Sequence, residues 1–281
     1  MNKTLVVFAV LFISLSSNAT TWDEPWQQEI IEKSEYFILG SIKQVTDTTV
    51  TVQIEKSFAS DLKGDLVIDG FFMLHLCSSS GGHGPEFYFA EGEEGYLFLK
   101  KGENGNYLIP TPTSGFDRII NGKVHATYRH TYHQAAVDPA TYEMTYNEIW
   151  NKYHSQSIID IEVKKYINDN LSKKPAGFDE NEIDLFFNQH VALETAFLLE
   201  LEVDFETLKK FAESDNYHSQ ISALRAMGIS NNKETKEYLL AYIQNSEKDN
   251  FTKVVAIWSL WNLNDSAYNK KLSALKNTLS D

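Results

Sequence analysis

The sequence predicts an α+β chain in which a small β-barrel precedes a run of helical repeats. Two observations carry this reading. Up to about residue 140, short stretches of β-forming residues are separated by turn residues, as in a small closed barrel or sandwich. Beyond about residue 180, apolar residues fall at helical spacing with few glycines, and Ala223-Leu-Arg-Ala-Met-Gly228 returns as Ala256-Ile-Trp-Ser-Leu-Trp261, 33 residues on. A period in the low thirties with two helices per unit marks an α-solenoid.

Taken in order, Met1-Asn-Lys-Thr4 leads into an apolar run from Leu5 to Leu15, then small residues at Ser17 and Ala19. This is the pattern of a secretory signal peptide over residues 1–19. The run of 11 residues is short against the roughly 20 that cross a bilayer, and no later segment rivals it. The mature chain is therefore expected to be secreted or periplasmic, with no transmembrane segment.

The barrel is expected over residues 20–140. Asp23, Glu24 and Pro25 suit a helix start, with Trp26, Ile30 and Ile31 on one face. Tyr36–Val45 reads as a strand with Gly40 as a bulge or bend, and Val50–Glu55 alternates cleanly. Further strands fit Asp65–Leu76, Gly95–Lys100 and Tyr107–Ile109, and Asn121-Gly122 signals a hairpin between Arg118–Ile120 and Lys123–Tyr128. A helical linker is expected over 141–180. Ile158, Ile161, Val163 and Ile167 mark a helix stopping before Pro175. A helical domain follows over 181–281: a helix from Ile183 to Leu199 capped by Asp179, then the pairs Phe205–Ala212 with Ser219–Met227 and Thr235–Gln244 with Phe251–Leu263. Trp258 and Trp261 are expected in packing between repeats.

Composition sets limits on partners. With 42% hydrophobic residues the chain can bury real cores, and two domains suit its 281 residues. The net charge is −14, and loss of Lys3 with the leader makes it 24 − 39 = −15. That acidity argues against nucleic acid as a partner. Cys77 is the only cysteine, so no internal disulfide forms, and burial is its expected fate.

Ser34-Glu-Tyr-Phe-Ile-Leu-Gly40, Thr49–Glu55 and Phe87–Lys101, with Cys77 upstream of the last, resemble the OB-fold barrel of TIMP/netrin-like domains over about residues 28–130. Residues 180–281 are similar to HEAT-like repeats through Ala223–Gly228 and Ala256–Asn264. Inhibitors of the TIMP family chelate a protease zinc through an N-terminal cysteine. Here the expected first residue is Thr20, so that activity does not carry over and the resemblance implies a fold alone.

Several residues invite chemistry. His75 and Cys77 alternate on an expected strand, and His83 follows the Gly-rich turn. Together with His130 and His133 they form a candidate zinc or copper site, of ligand types that suit those metals. His125 lies in the same stretch of chain. Ser78-Ser-Ser80 beside His83 raises a serine hydrolase, though no Gly-x-Ser-x-Gly elbow frames it. The acidic stretches Glu91–Glu94 and Asp179–Glu182 lack the calcium-loop pattern. Tyr128, Tyr132, Tyr142 and Tyr146 either line a shared groove or cement the two halves. The favoured reading is an exported, non-catalytic binding or scaffolding protein with a protein partner, no catalytic residue and no bound cofactor. A transition-metal protein and a serine hydrolase are the alternatives. Barrel and helices are expected to fold as separate bodies.

Overall fold

The structure, a computed structural model, describes residues 25–58, 60–69, 89–111, 114–154 and 160–275. Helix α1 (Gln27–Lys33) is followed by β1 (Tyr36–Val45), β2 (Thr49–Phe58), β3 (Asp65–Asp69), β4 (Glu94–Lys101) and β5 (Tyr107–Leu108). These five strands close on themselves in the order β1-β2-β3-β5-β4-β1. Every pairing is antiparallel except β3 with β5, where Ile68 faces Tyr107 in parallel register. The result is the closed OB-like barrel that the sequence predicts.

The barrel closes because β1 can bend. Its register with β2 shifts between Leu39 and Gly40, at the anticipated bulge. A Cβ on Gly40 would lie 2.6 Å from the Val52 side chain and 2.8 Å from the Gln53 carbonyl. Gly40 also faces Gly95 of β4, where a Cβ would meet the Asp117 carbonyl at 2.5 Å. Inside the barrel Ile38, Ile42, Val50, Val52, Leu97 and Leu99 make a dry core.

Alternate residues of β1 and β4 point outward, yet Phe37, Tyr96 and Phe98 are as buried as their inward neighbours. An unbroken apolar run such as Tyr-Leu-Phe-Leu is what a strand covered on both faces requires. The cover is α2 (Pro139–His154), whose Tyr142, Tyr146 and Trp150 rings lie 5.7–6.3 Å from the Phe37 ring. The four tyrosines divide accordingly: Tyr128, Tyr142 and Tyr146 cement the halves, while Tyr132 is exposed. Tyr142 donates to the buried Asp117 carboxyl at 2.7 Å, and Tyr146 to the Thr127 carbonyl.

Strand β4 also carries β6 (Phe116–Ile120), which continues through β7 (Lys123–Thr127) to β8 (Gln134–Val137). Asn121 and Gly122 take φ of 52° and 76°, the left-handed pair of a tight hairpin. Strand β8 was not anticipated.

Three antiparallel hairpins follow: α3 (Ile161–Leu171) with α4 (Ile183–Leu198), α5 (Phe205–Ala212) with α6 (Tyr217–Met227), and α7 (Lys233–Gln244) with α8 (Asn250–Asn262). Helix α9 (Ser266–Leu275) packs on the last pair. Side chains of Asp160, Asp204, Asn216, Asn232 and Asp249 cap five of these helices by accepting backbone N–H groups. Helices α4, α6 and α8 stack in one row. The repeated sequence segment marks the α6–α8 contact, where Ala223 and Ala256 are fully buried and Gly228 lets the backbones close up.

Four expectations are corrected. The long helix starts at Ile183 after Glu182, and Asp179 lends only its carbonyl to the turn before it. Ile161 opens α3 at 80% exposure, outside the core its spacing suggested. Trp258 and Trp261 are also exposed, at 47% and 54%, because the small residues already fill the contact between repeats. Nor are the halves separate bodies: beside the barrel's own interior, one apolar cluster runs from Phe37 and Tyr96 of the barrel, through α2, to Leu272 of α9. Among the described residues no helix is long and apolar enough to cross a membrane.

Candidate functional site

The seam between sheet and solenoid collects the polar groups that neither could bury alone. Arg129 follows β7 and is 1% exposed. Its guanidinium donates to the His218 carbonyl at 3.2 Å, to Ser222 Oγ at 3.1 Å and to His218 Nδ1 at 3.2 Å. Glu194 of α4 has no exposed surface. It accepts from Ser222 Oγ at 2.6 Å and from Arg225 Nε at 3.1 Å, and lies 3.7 Å from Arg129. Burial lowers the affinity of both guanidinium groups for their protons, with Arg129 down to about 10, while Glu194 opposes the shift. Two cations thus share one buried carboxylate, leaving a positive seam in an acidic protein.

This seam fixes proton positions. Ser222 gives its one proton to Glu194, so toward His190 Nδ1, 3.2 Å away, it can only accept. His190 therefore carries its proton on Nδ1 and presents a bare Nε2, which is buried and has no hydrogen-bond partner. Arginine only donates, so His218 accepts at Nδ1 and carries its proton on Nε2. Burial, then the charge of Arg129, lowers the pKa of His133, His190 and His218, with His133 down to about 3. All three are neutral rings at pH 7. Ser222, His190 and Glu194 do not form a hydrolytic triad, because the serine proton goes to the acid and not to the histidine, and all three are enclosed.

Above the seam lies a groove of about 730 Å³ lined by Trp26, Arg129, His130, Tyr132, Phe251 and Trp258, among others. Trp26 joins the elements around it. Its ring is 5.9 Å from His130 and 6.0 Å from Trp258, and the Arg225 guanidinium lies over it at 4.2 Å. A backbone bond from Gln27 N–H to the Arg129 carbonyl, 2.9 Å, ties α1 to the same loop. Tyr132, Phe251 and Trp258 leave 50%, 45% and 47% of their surface open. A smaller pocket of about 150 Å³ adjoins it, sharing Tyr132 and His133 and reaching His190, His218 and three phenylalanines.

Of the residues singled out from sequence, His75, Cys77, His83 and Ser78–Ser80 lie outside the described residues, as does the 1–19 segment. His130 and His133 do come together, their rings 6.0 Å apart, because the His133 N–H closes a turn on the His130 carbonyl at 2.8 Å. His125 faces Ala136 on the neighbouring strand and joins neither pocket. Among the described residues no three His, Cys, Asp or Glu side chains are placed to share a metal ion. Sequence reading missed Arg129, His190, Glu194, His218 and Ser222. The signal open to it was the polar set Gln189-His190 and Glu194 on a strongly apolar helix, where lone polar groups need partners. Comparison with known protein families, with functionally described proteins and with solved structures finds no match to this chain.

Proposed function

We propose that the chain is an exported, non-catalytic binding protein that holds an apolar segment of a protein partner in the groove on its seam. The observation that carries this reading is the exposure of Tyr132, Phe251 and Trp258 on one concavity. Large aromatics left open and adjacent mark a surface kept for a partner, and aromatic rings are the common anchors of protein interfaces. The volume also falls within the range of ligand sites, roughly 300–1,000 Å³. The likeness to OB-fold TIMP/netrin-like barrels and HEAT-like repeats supports the same role, since both present extended surfaces. The leader-like N-terminus supports export.

Selection of a random peptide library on the purified protein tests it. Peptides rich in aromatic and branched apolar residues are expected to be enriched, and Phe251→Ser with Trp258→Ser should abolish the enrichment at unchanged thermal stability. Equal enrichment by wild type and variant, or none by either, would refute the reading.

A further inference from the structure

The smaller pocket has a more specific chemistry than the groove beside it. Its walls are Tyr132, Phe178, Phe186 and Phe187, and its polar edge is His133, His190 and His218 with Gln134. About 150 Å³ is the size of cavity that accepts a benzene ring. His190 is 3% exposed, and its Nε2 holds a lone pair with no donor. An acceptor so buried is ordinarily satisfied, because leaving it bare forfeits its solvation with nothing in return. His133 Nδ1 is likewise buried and unpartnered, and its ring lies 4.7 Å from that of His218. His218 supplies the opposite need, an N–H at Nε2, since its Nδ1 accepts from Arg129.

We infer that this pocket binds a neutral group that both donates and accepts a hydrogen bond and is carried on a single apolar ring or branched chain, of which an aromatic primary amide is the simplest case. The ligand's N–H satisfies His190 Nε2, its carbonyl takes the His218 N–H, and the phenylalanines hold the apolar part. A cationic head would meet the Arg129 charge, which already disfavours protonation of all three histidines. A carboxylate would bring a second acceptor to a lone pair that needs a donor. A metal ion is disfavoured by the same cation and by the lack of a third ligand among the described residues. This deepens the reading above, resting on it for the partner's identity, by naming the group that a partner would insert beside Tyr132.

The test uses the full protein labelled with ¹⁵N-histidine and titrated with benzamide, toluene and benzylammonium. The unbonded nitrogen of His190 should appear as Nε2, and its resonance should move upfield saturably with benzamide. Toluene and benzylammonium should bind at least tenfold more weakly. Phe178→Ala, altering a wall residue that is 55% exposed, should weaken benzamide binding without lowering thermal stability. An Nε2-protonated His190, a resonance unmoved by benzamide, or toluene binding as well as benzamide would each overturn the inference. Benzamide binding without peptide enrichment would remove the groove reading alone, and peptide enrichment without benzamide binding would remove this one alone.

Discussion

His133, His190 and His218 release their protons more readily than free histidine, first because they are buried and second because Arg129 stands beside them. His125 and His154 shift the same way through burial. Below about pH 6.5 the unfolded chain takes up protons that these folded rings refuse, so stability falls with acidification. Asp117 works in the opposite sense. Full burial raises its pKa to about 6, outweighing the bonds from Thr127 and Tyr142. Between about pH 6 and the ordinary aspartate value near 3.8 the folded state gains its proton first, which adds stability. Glu94 is raised as well, by partial burial and by Glu55, but five histidines outnumber these two carboxyls and decide the balance. The melting temperature is expected to fall from pH 7.5 to 5, more gently in His133→Gln and more steeply in Asp117→Asn. A melting temperature that rises over that range, or an Asp117→Asn variant with a shallower slope, would contradict this assignment. None of it was legible from sequence, where His130 and His133 stood out by spacing while burial of His190 and Asp117 depends on neighbours distant along the chain.

Between elements, Glu194 ties three pieces of the chain together. It binds α4 to α6 through Arg225 and Ser222, and reaches the β7–β8 loop through Arg129. Glu194→Ala would leave two buried guanidinium groups without their counter-charge, and removing one partner of such a pair costs about 3–5 kcal/mol. Urea unfolding should show a loss of that order. A loss near that of an exposed ion pair, below about 1 kcal/mol, would mean that the seam relaxes into water. Element order was well marked in the sequence wherever a local rule applied: alternation in β2, Gly40 in β1, Asn121-Gly122 between β6 and β7, helical spacing in α5 to α8. Strand β8 escaped because Gln134-Ala-Ala-Val137 is short and weakly β-forming, and it exists by pairing along β7 and packing on α4. Helix α9 escaped because only Tyr268 and Leu272 bury on the preceding pair.

At the scale of the whole molecule, the change in composition near residue 140 suggested two bodies, and it is also where α2 locks them together. Tyr142 and Tyr146 were expected either to line a shared groove or to cement the halves, and with Ile149 and Trp150 they do the second, though nothing local says that their target is the outside of a barrel. The double-sided burial of β1 and β4 was the available clue, since Phe37-Ile38 and Tyr96-Leu97-Phe98-Leu99 carry more apolar residues than one barrel interior can use. The groove depends on this union, because its walls come from α1, the β7–β8 loop and α8. Native-state hydrogen exchange under rising urea tests the union directly, since segments that open together share one opening free energy. The amides of Leu97–Leu99 in β4 and Ala223–Met227 in α6 are predicted to converge on a single isotherm. Helical amides that open at lower urea while the barrel stays protected would show two independent bodies and a groove without fixed walls.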